Sequence, residues 1–276
     1  MPYLTVSDGT KIYYEDFGKG EIILFCHGLG SSHLKIKNFI NEFKSNSRYR
    51  CVYYDHRGHE SSDKPKIHMN IKQLAQDLSE LIEYLQLSNI TIIGHSMGAA
   101  TIFNYVNQFG CSKLKRIVCV DMSPYLRNDG WKGGISQGKW TDEDFLNDLD
   151  NIFDDVGRAN WHISKETMVP NLKNVPKEFE STMIENIRNS IDPFTMASLW
   201  YSLFRTDQRP YIQKINVPFL YIMPDFPLYS METINFYKNN VKGKFALEKD
   251  FPKTTHMILM EKPHEVAESI KRFMKS

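Results

Sequence analysis

The feature that most constrains this chain is a short apolar run that keeps returning. Ile22-Ile23-Leu24-Phe25-Cys26 has no polar residue in it. An unbroken run of that length reads as a strand covered on both faces, because a half-exposed strand would alternate. The pattern returns at residues 50–54, 90–93, 114–120 and 217–222, and most briefly at 245–247. Residues 12–17 read as a further strand, closed by the turn Gly18-Lys19-Gly20. Between the runs lie helical patterns. In residues 70–87 the apolar positions Ile71, Leu74, Ala75, Leu78, Leu81, Ile82 and Leu85 fall on one helix face. Residues 99–109 and 264–274 read as helices too. Strands alternating with helices predict an α/β fold, a mainly parallel sheet flanked by helices on both faces.

One stretch breaks the rhythm. From residue 122 to about 215 there is no convincing buried strand, yet all four tryptophans (Trp131, Trp140, Trp161, Trp200) lie there. Residues 142–153 and 177–191 look helical. A structureless loop of this length is improbable. The expectation is therefore a core made of residues 1–121 and 216–276, with residues 122–215 inserted as a helical cap.

Composition narrows the function classes. A formal net charge of +1 gives no basic face for nucleic acid and no acidic tail. No apolar run approaches the roughly 20 residues of a membrane span, and Met1-Pro2-Tyr3-Leu4-Thr5 lacks the basic flank and apolar stretch of a signal peptide. Cys26, Cys51, Cys111 and Cys119 show neither C-x-x-C pairing nor metal-ligand spacing. They read as small buried hydrophobes in a reducing compartment. The expected setting is cytoplasmic and the expected partner a small-molecule substrate; a homodimer is left open.

The chemistry concentrates in Gly94-His95-Ser96-Met97-Gly98. G-x-S-x-G alone is weak, but here it follows a strand and precedes a helix, the setting of a nucleophile elbow. Ser96 would stand in a strained turn above the sheet's carboxyl edge. Small residues at 94 and 98 would let strand and helix approach. A tetrahedral intermediate needs two donors aimed at its oxyanion. The N–H of Met97 is one candidate. The other is Leu29, in the His27-Gly28-Leu29-Gly30 loop after an earlier strand. A serine hydroxyl also needs a base. His256 alone among the nine histidines falls in a late loop after a strand, as the chain order Ser, acid, His demands.

Taken together, these motifs resemble the α/β-hydrolase superfamily, in the branch of cap-bearing esterases and cofactor-independent haloperoxidase-like enzymes. The resemblance runs from Asp8-Gly9-Thr10 through His27-Gly28 and Asp55-His56-Arg57-Gly58-His59-Glu60-Ser61-Ser62. It continues through the Ser96 elbow and Val217-Pro218 to His256 with Glu261-Lys262-Pro263. Glu60 stands where the family has a second glycine. The resemblance implies an acyl-enzyme on Ser96, no cofactor and no metal. It implies a carboxylic ester of small or medium size. A thioester, a carbon–carbon bond beside a carbonyl and peracid formation stay open, as does a triad-bearing sensor with little turnover. The family usually carries its acid in the loop after residues 217–222. This chain has Pro227 at that position and Asp225 two residues early. Asp121, ending the run 114–120 beside the elbow strand, is placed ahead of Asp225.

Overall fold

The computed structural model describes residues 2–275, the side chains of residues 170 and 171 excepted; Met1 and Ser276, the outer ends of the expected core, lie outside the described residues. Eight strands form one sheet: β1 (Tyr3–Thr5), β2 (Lys11–Gly18), β3 (Glu21–Cys26), β4 (Tyr49–Tyr54), β5 (Ile90–His95), β6 (Leu114–Val120), β7 (Phe219–Ile222) and β8 (Phe245–Glu248). Their spatial order is β1-β2-β4-β3-β5-β6-β7-β8. β1 with β2 and β2 with β4 run antiparallel; every other pair is parallel. The sequence thus reads correctly as an α/β fold with a mainly parallel sheet. It did not reveal β1, whose three residues are too few for a pattern.

The alternation of side chains across β3 divides the core. Leu24 and Cys26 pack with the helices α2 (Ile71–Tyr84) and α3 (Met97–Phe109). Ile23 and Phe25 pack with α1 (Lys37–Lys44) and α12 (Pro263–Lys275) on the opposite face. Helix α3 begins two residues earlier than the pattern suggested, directly after Ser96.

Residues 122–215 lie between β6 and β7. They carry the turn α4 (Ile135–Gly138), the helices α5 (Asp142–Asp154), α6 (Val156–Ile163), α7 (Lys177–Ser190) and α8 (Pro193–Arg205), and the turn α9 (Arg209–Ile212). Among the described residues this stretch has no strand. Thr141 caps α5 through a reciprocal bond pair with Asp144. Phe145 of α5 stacks flat on Phe204 of α8, ring centroids 3.9 Å apart. The remaining helices, α10 (Met231–Asn240) and α11 (Ile258–Glu261), follow β7 and β8.

The sheet order fixes where a site can form. From β3 the chain moves outward to β4, then crosses back to β5 on β3's other side. Such a reversal leaves a crevice outside the carboxyl ends of the two strands. The loop after β3 and the turn after β5 both open there.

Candidate active site

Ser96 joins β5 to α3 with φ 52° and ψ −122°. A non-glycine residue in that region is strained, and such strain collects at functional sites. The turn is held from both sides. The Ser96 N–H donates to Val120 O at 3.1 Å, and Ser96 O accepts from the Ala99 and Ala100 N–H groups at 2.8 and 3.2 Å. The two glycines of the motif are required by packing. A Cβ at Gly94 would stand 2.5 Å from Ala99 N, and one at Gly98 would stand 2.0 Å from Cys26 O.

His256 lies in the turn before α11, its side chain 3 % exposed, with Nδ1 2.8 Å from Asp121 Oδ2. A carboxylate can only accept, so Nδ1 carries the proton and Nε2 is left with a lone pair. Asp121 follows β6 directly, is fully buried, and takes φ 43°. Its carboxylate also accepts from the Leu228 N–H (3.3 Å, Oδ2) and the Tyr221 hydroxyl (3.5 Å, Oδ1). Asp225 is placed elsewhere. It is exposed, and its Oδ2 accepts from the Lys253 N–H at 2.9 Å. Its own N–H donates to Thr254 Oγ1 at 3.1 Å. Asp225 therefore shapes the turn that leads into His256 and has no bond to the ring.

The loop after β3 lies against the elbow: a Cβ on Gly28 would come within 3.2 Å of Ser96 Cβ. Neutral histidines hold this loop. His27 Nε2 accepts from the His56 N–H at 3.0 Å, so its Nδ1–H donates to Gly28 O at 2.8 Å. His59 Nε2 accepts from the Gly30 N–H at 3.0 Å, so its Nδ1–H donates to Arg57 O at 3.1 Å. Burial pushes His59 down to about 4 and His56 to about 3, and takes His27 well below the ordinary histidine value. Among the described residues, neither the Leu29 nor the Met97 N–H has an acceptor within the protein.

The Asp55 motif is a brace beneath this loop. Arg57, wholly buried, makes two bonds to Asp77 of α2 at 2.6 and 2.7 Å and one to Asp8 at 2.8 Å. Glu60 adopts φ 39°, the left-handed conformation that a glycine takes at no steric cost.

Some neighbours of the site had no readable signal. His95 is buried, and its Nε2–H donates to His256 O at 2.8 Å. Its Nδ1 has no hydrogen-bond partner among the described residues, and burial pushes its pKa down to about 3. Asn160 of α6 brings its amide nitrogen 3.6 Å from where a Cβ on Gly30 would stand. A cavity of about 440 Å³ connects these residues, lined by Ser96, His256, Leu29 and side chains from residues 122–215. Among the described residues, no cluster of His, Cys, Asp and Glu could hold a metal ion, and no helix is long and apolar enough to cross a membrane.

A family model described as the alpha/beta hydrolase fold matches residues 21–263. The chain belongs to that family. Among curated proteins it is similar to a non-heme haloperoxidase of Rhodococcus erythropolis, 31 % identical over 126 residues, covering 46 % of this chain and 46 % of the relative. The match thus spans a little under half of the relative's length. Among solved structures it is similar to an esterase from Exiguobacterium antarcticum, with TM-score 0.85 and 22 % identity over 99 % of both chains. It is also similar to a bromoperoxidase from Bacillus anthracis, with TM-score 0.82 and 23 % identity over 97 % of this chain and 96 % of that one. At such identities the likeness speaks for the fold alone.

Proposed function

We propose that this chain is a serine hydrolase that cleaves carboxylic esters through an acyl-enzyme on Ser96. The observation that carries the reading is the 2.8 Å contact of His256 Nδ1 with a buried Asp121 carboxylate, beside a strained serine turn on a shared cavity. His256 Nε2, left with its lone pair, takes the Ser96 proton as Oγ attacks the ester carbonyl carbon. The oxyanion that forms is received by the Leu29 and Met97 N–H groups, both without an acceptor among the described residues. Collapse of the intermediate breaks the acyl–oxygen bond, and the imidazolium protonates the leaving alkoxide. Water, deprotonated by the same nitrogen, then releases the acid and frees Ser96. Asp121 holds the tautomer and balances the imidazolium without itself taking the proton.

Residues 122–215 act as a lid in this reading. Met168, Trp161 and Leu203 belong to that stretch and share the cavity wall with Ser96. A lid excludes water and selects substrate. Four free, buried cysteines suit a reducing compartment such as the cytoplasm.

A fluorophosphonate probe tests the assignment. One molecule of label should attach per chain, and Ser96→Ala should abolish it. Full labelling of that variant would overturn the reading.

A further inference from the structure

We infer that the substrate of this site is an uncharged ester rich in hydrocarbon, of medium acyl length, and that acetyl esters and esters carrying a second carboxylate are poor substrates. The inference rests on the esterase reading above and narrows it. It comes from the make-up of the cavity around Ser96. Among the described residues, apart from His95 and His256, the only ionisable side chain with a formal charge on its wall is Lys35. Lys35 is exposed, and its Nζ already donates to Gly30 O at 2.7 Å. Among the described residues no arginine lines the cavity, so none there offers the bidentate clamp with which an arginine holds a carboxylate or phosphate. A charge taken into such a wall would lose its hydration, with the Lys35 ammonium at the rim, already holding Gly30 O, as its one formally charged neighbour among the described residues.

Size points the same way. At roughly 30 Å³ for a water-sized group, 440 Å³ has room for on the order of fifteen non-hydrogen atoms, several times an acetyl group. The wall is also pliable. Six of the twelve methionines in the chain line it: Met122, Met168, Met183, Met196, Met257 and Met260. An unbranched thioether side chain rotates to follow an irregular apolar shape. A wall built this way accommodates flexible alkyl chains better than one rigid outline.

Two series of p-nitrophenyl esters test the inference on the wild-type protein. The first runs acetate, butyrate, hexanoate, octanoate and decanoate. Each buried methylene is worth up to about fourfold in kcat/KM, so octanoate should exceed acetate by about a hundredfold or more. The second compares hexanoate with the acid-ended adipate monoester, which should be at least about a hundredfold slower. Acetate turned over as well as octanoate, or adipate as well as hexanoate, would overturn the inference while leaving the esterase reading intact. No hydrolysis of any ester, with no fluorophosphonate labelling of Ser96, would overturn the esterase reading itself. As a check on the cavity, Ile187→Trp should move the best chain length down by several carbons. An unmoved optimum in the folded variant would show that the chain binds elsewhere.

Discussion

The backbone N–H of Leu228 donates to Asp121 Oδ2, the same oxygen that faces His256 Nδ1. Leu228 sits in the loop after β7, where the resembled family carries its acid. In this chain that loop has Pro227 in place of the carboxylate, and its next residue supplies a donor to a carboxylate on β6's end. In the proposed triad the acid comes from the end of β6, one strand along the sheet from β7, and pairs with the same late histidine. β6 and β7 are neighbours, with Val120 in register with Ile222, so the two positions converge on nearly the same space.

That arrangement separates the two aspartates sharply. Asp121→Asn should lower kcat by several orders of magnitude, on the scale of roughly 10⁴ seen when a triad aspartate is amidated. The asparagine amide can donate to Nδ1 and force the proton onto Nε2, which removes the base. Asp225→Asn should change kcat less than about threefold, because only the Lys253 turn loses charge. Steady-state kinetics on both variants decide it. A large loss in Asp225→Asn with little in Asp121→Asn would reverse the assignment.

His95 should prove a positioning residue for His256. Its Nε2–H satisfies the His256 carbonyl inside a buried site. Leaving that carbonyl bare costs about 1–3 kcal/mol, and the turn would shift to relieve it. His95→Phe should therefore drop kcat about tenfold or more with KM nearly unchanged, and move the acidic limb of the kcat profile. His95→Gln keeps a donor and should recover most of the loss. Equal kcat and pH profile in the Phe variant would show that the contact is only structural.

The parallel sheet was legible because its strands are buried on both faces and so read as unbroken apolar runs. The Ser96 turn was legible because sterics force Gly at 94 and 98 and a strand and helix flank it. Other parts depend on distances the sequence does not encode. Asp121 and His256 lie 135 residues apart, and the order β6-β7-β8 in the sheet, with His256 in the loop after β8, brings one to the other. His95 reads as one variable position of a motif, since its bond to the His256 carbonyl is made through space. The cavity wall, assembled from several separate stretches between Met122 and Leu203 and from the core, has no local pattern at all.

Acid should unfold the protein early. His27, His56, His59 and His95 are held neutral by burial in the folded state, with His59 at about 4 and His56 and His95 at about 3. In the unfolded chain each titrates near 6.5. Between about pH 6.5 and 4 the unfolded state therefore binds more protons, and stability falls as pH falls. Above about 6.5 these histidines contribute no slope. The melting temperature should be nearly flat from pH 7 to 8 with respect to them and drop steeply below pH 6. His59→Gln, whose carbonyl can accept from Gly30 N–H, should make the drop shallower. A melting temperature constant down to pH 4.5 would contradict the neutral-histidine brace.

Asp148 should act in the opposite sense. It lies on α5, 3 % exposed, and its Oδ2 accepts from both Trp140 Nε1 at 3.0 Å and Trp200 Nε1 at 3.1 Å. No cation pairs with it among the described residues. Burial outweighs the two indole bonds and raises its pKa to about 7. An aspartate in the unfolded chain titrates near 3.9, so between about pH 4 and 7 the folded state holds the extra proton. Stability from this group is present below about pH 4 and is lost as pH rises through 7, which partly offsets the histidines over the same range. Asp148→Asn keeps an oxygen that both indoles can reach and removes the charge. Its melting temperature should exceed that of the wild type by a few degrees at pH 8 and match it near pH 4. Tryptophan fluorescence gives the second reading, since Trp140 and Trp200 report directly on the carboxyl: the wild type should show a transition near pH 7 that Asp148→Asn lacks. A variant less stable than wild type at pH 8, or a fluorescence transition that survives the substitution, would show that Asp148 is ionised and satisfied in the fold.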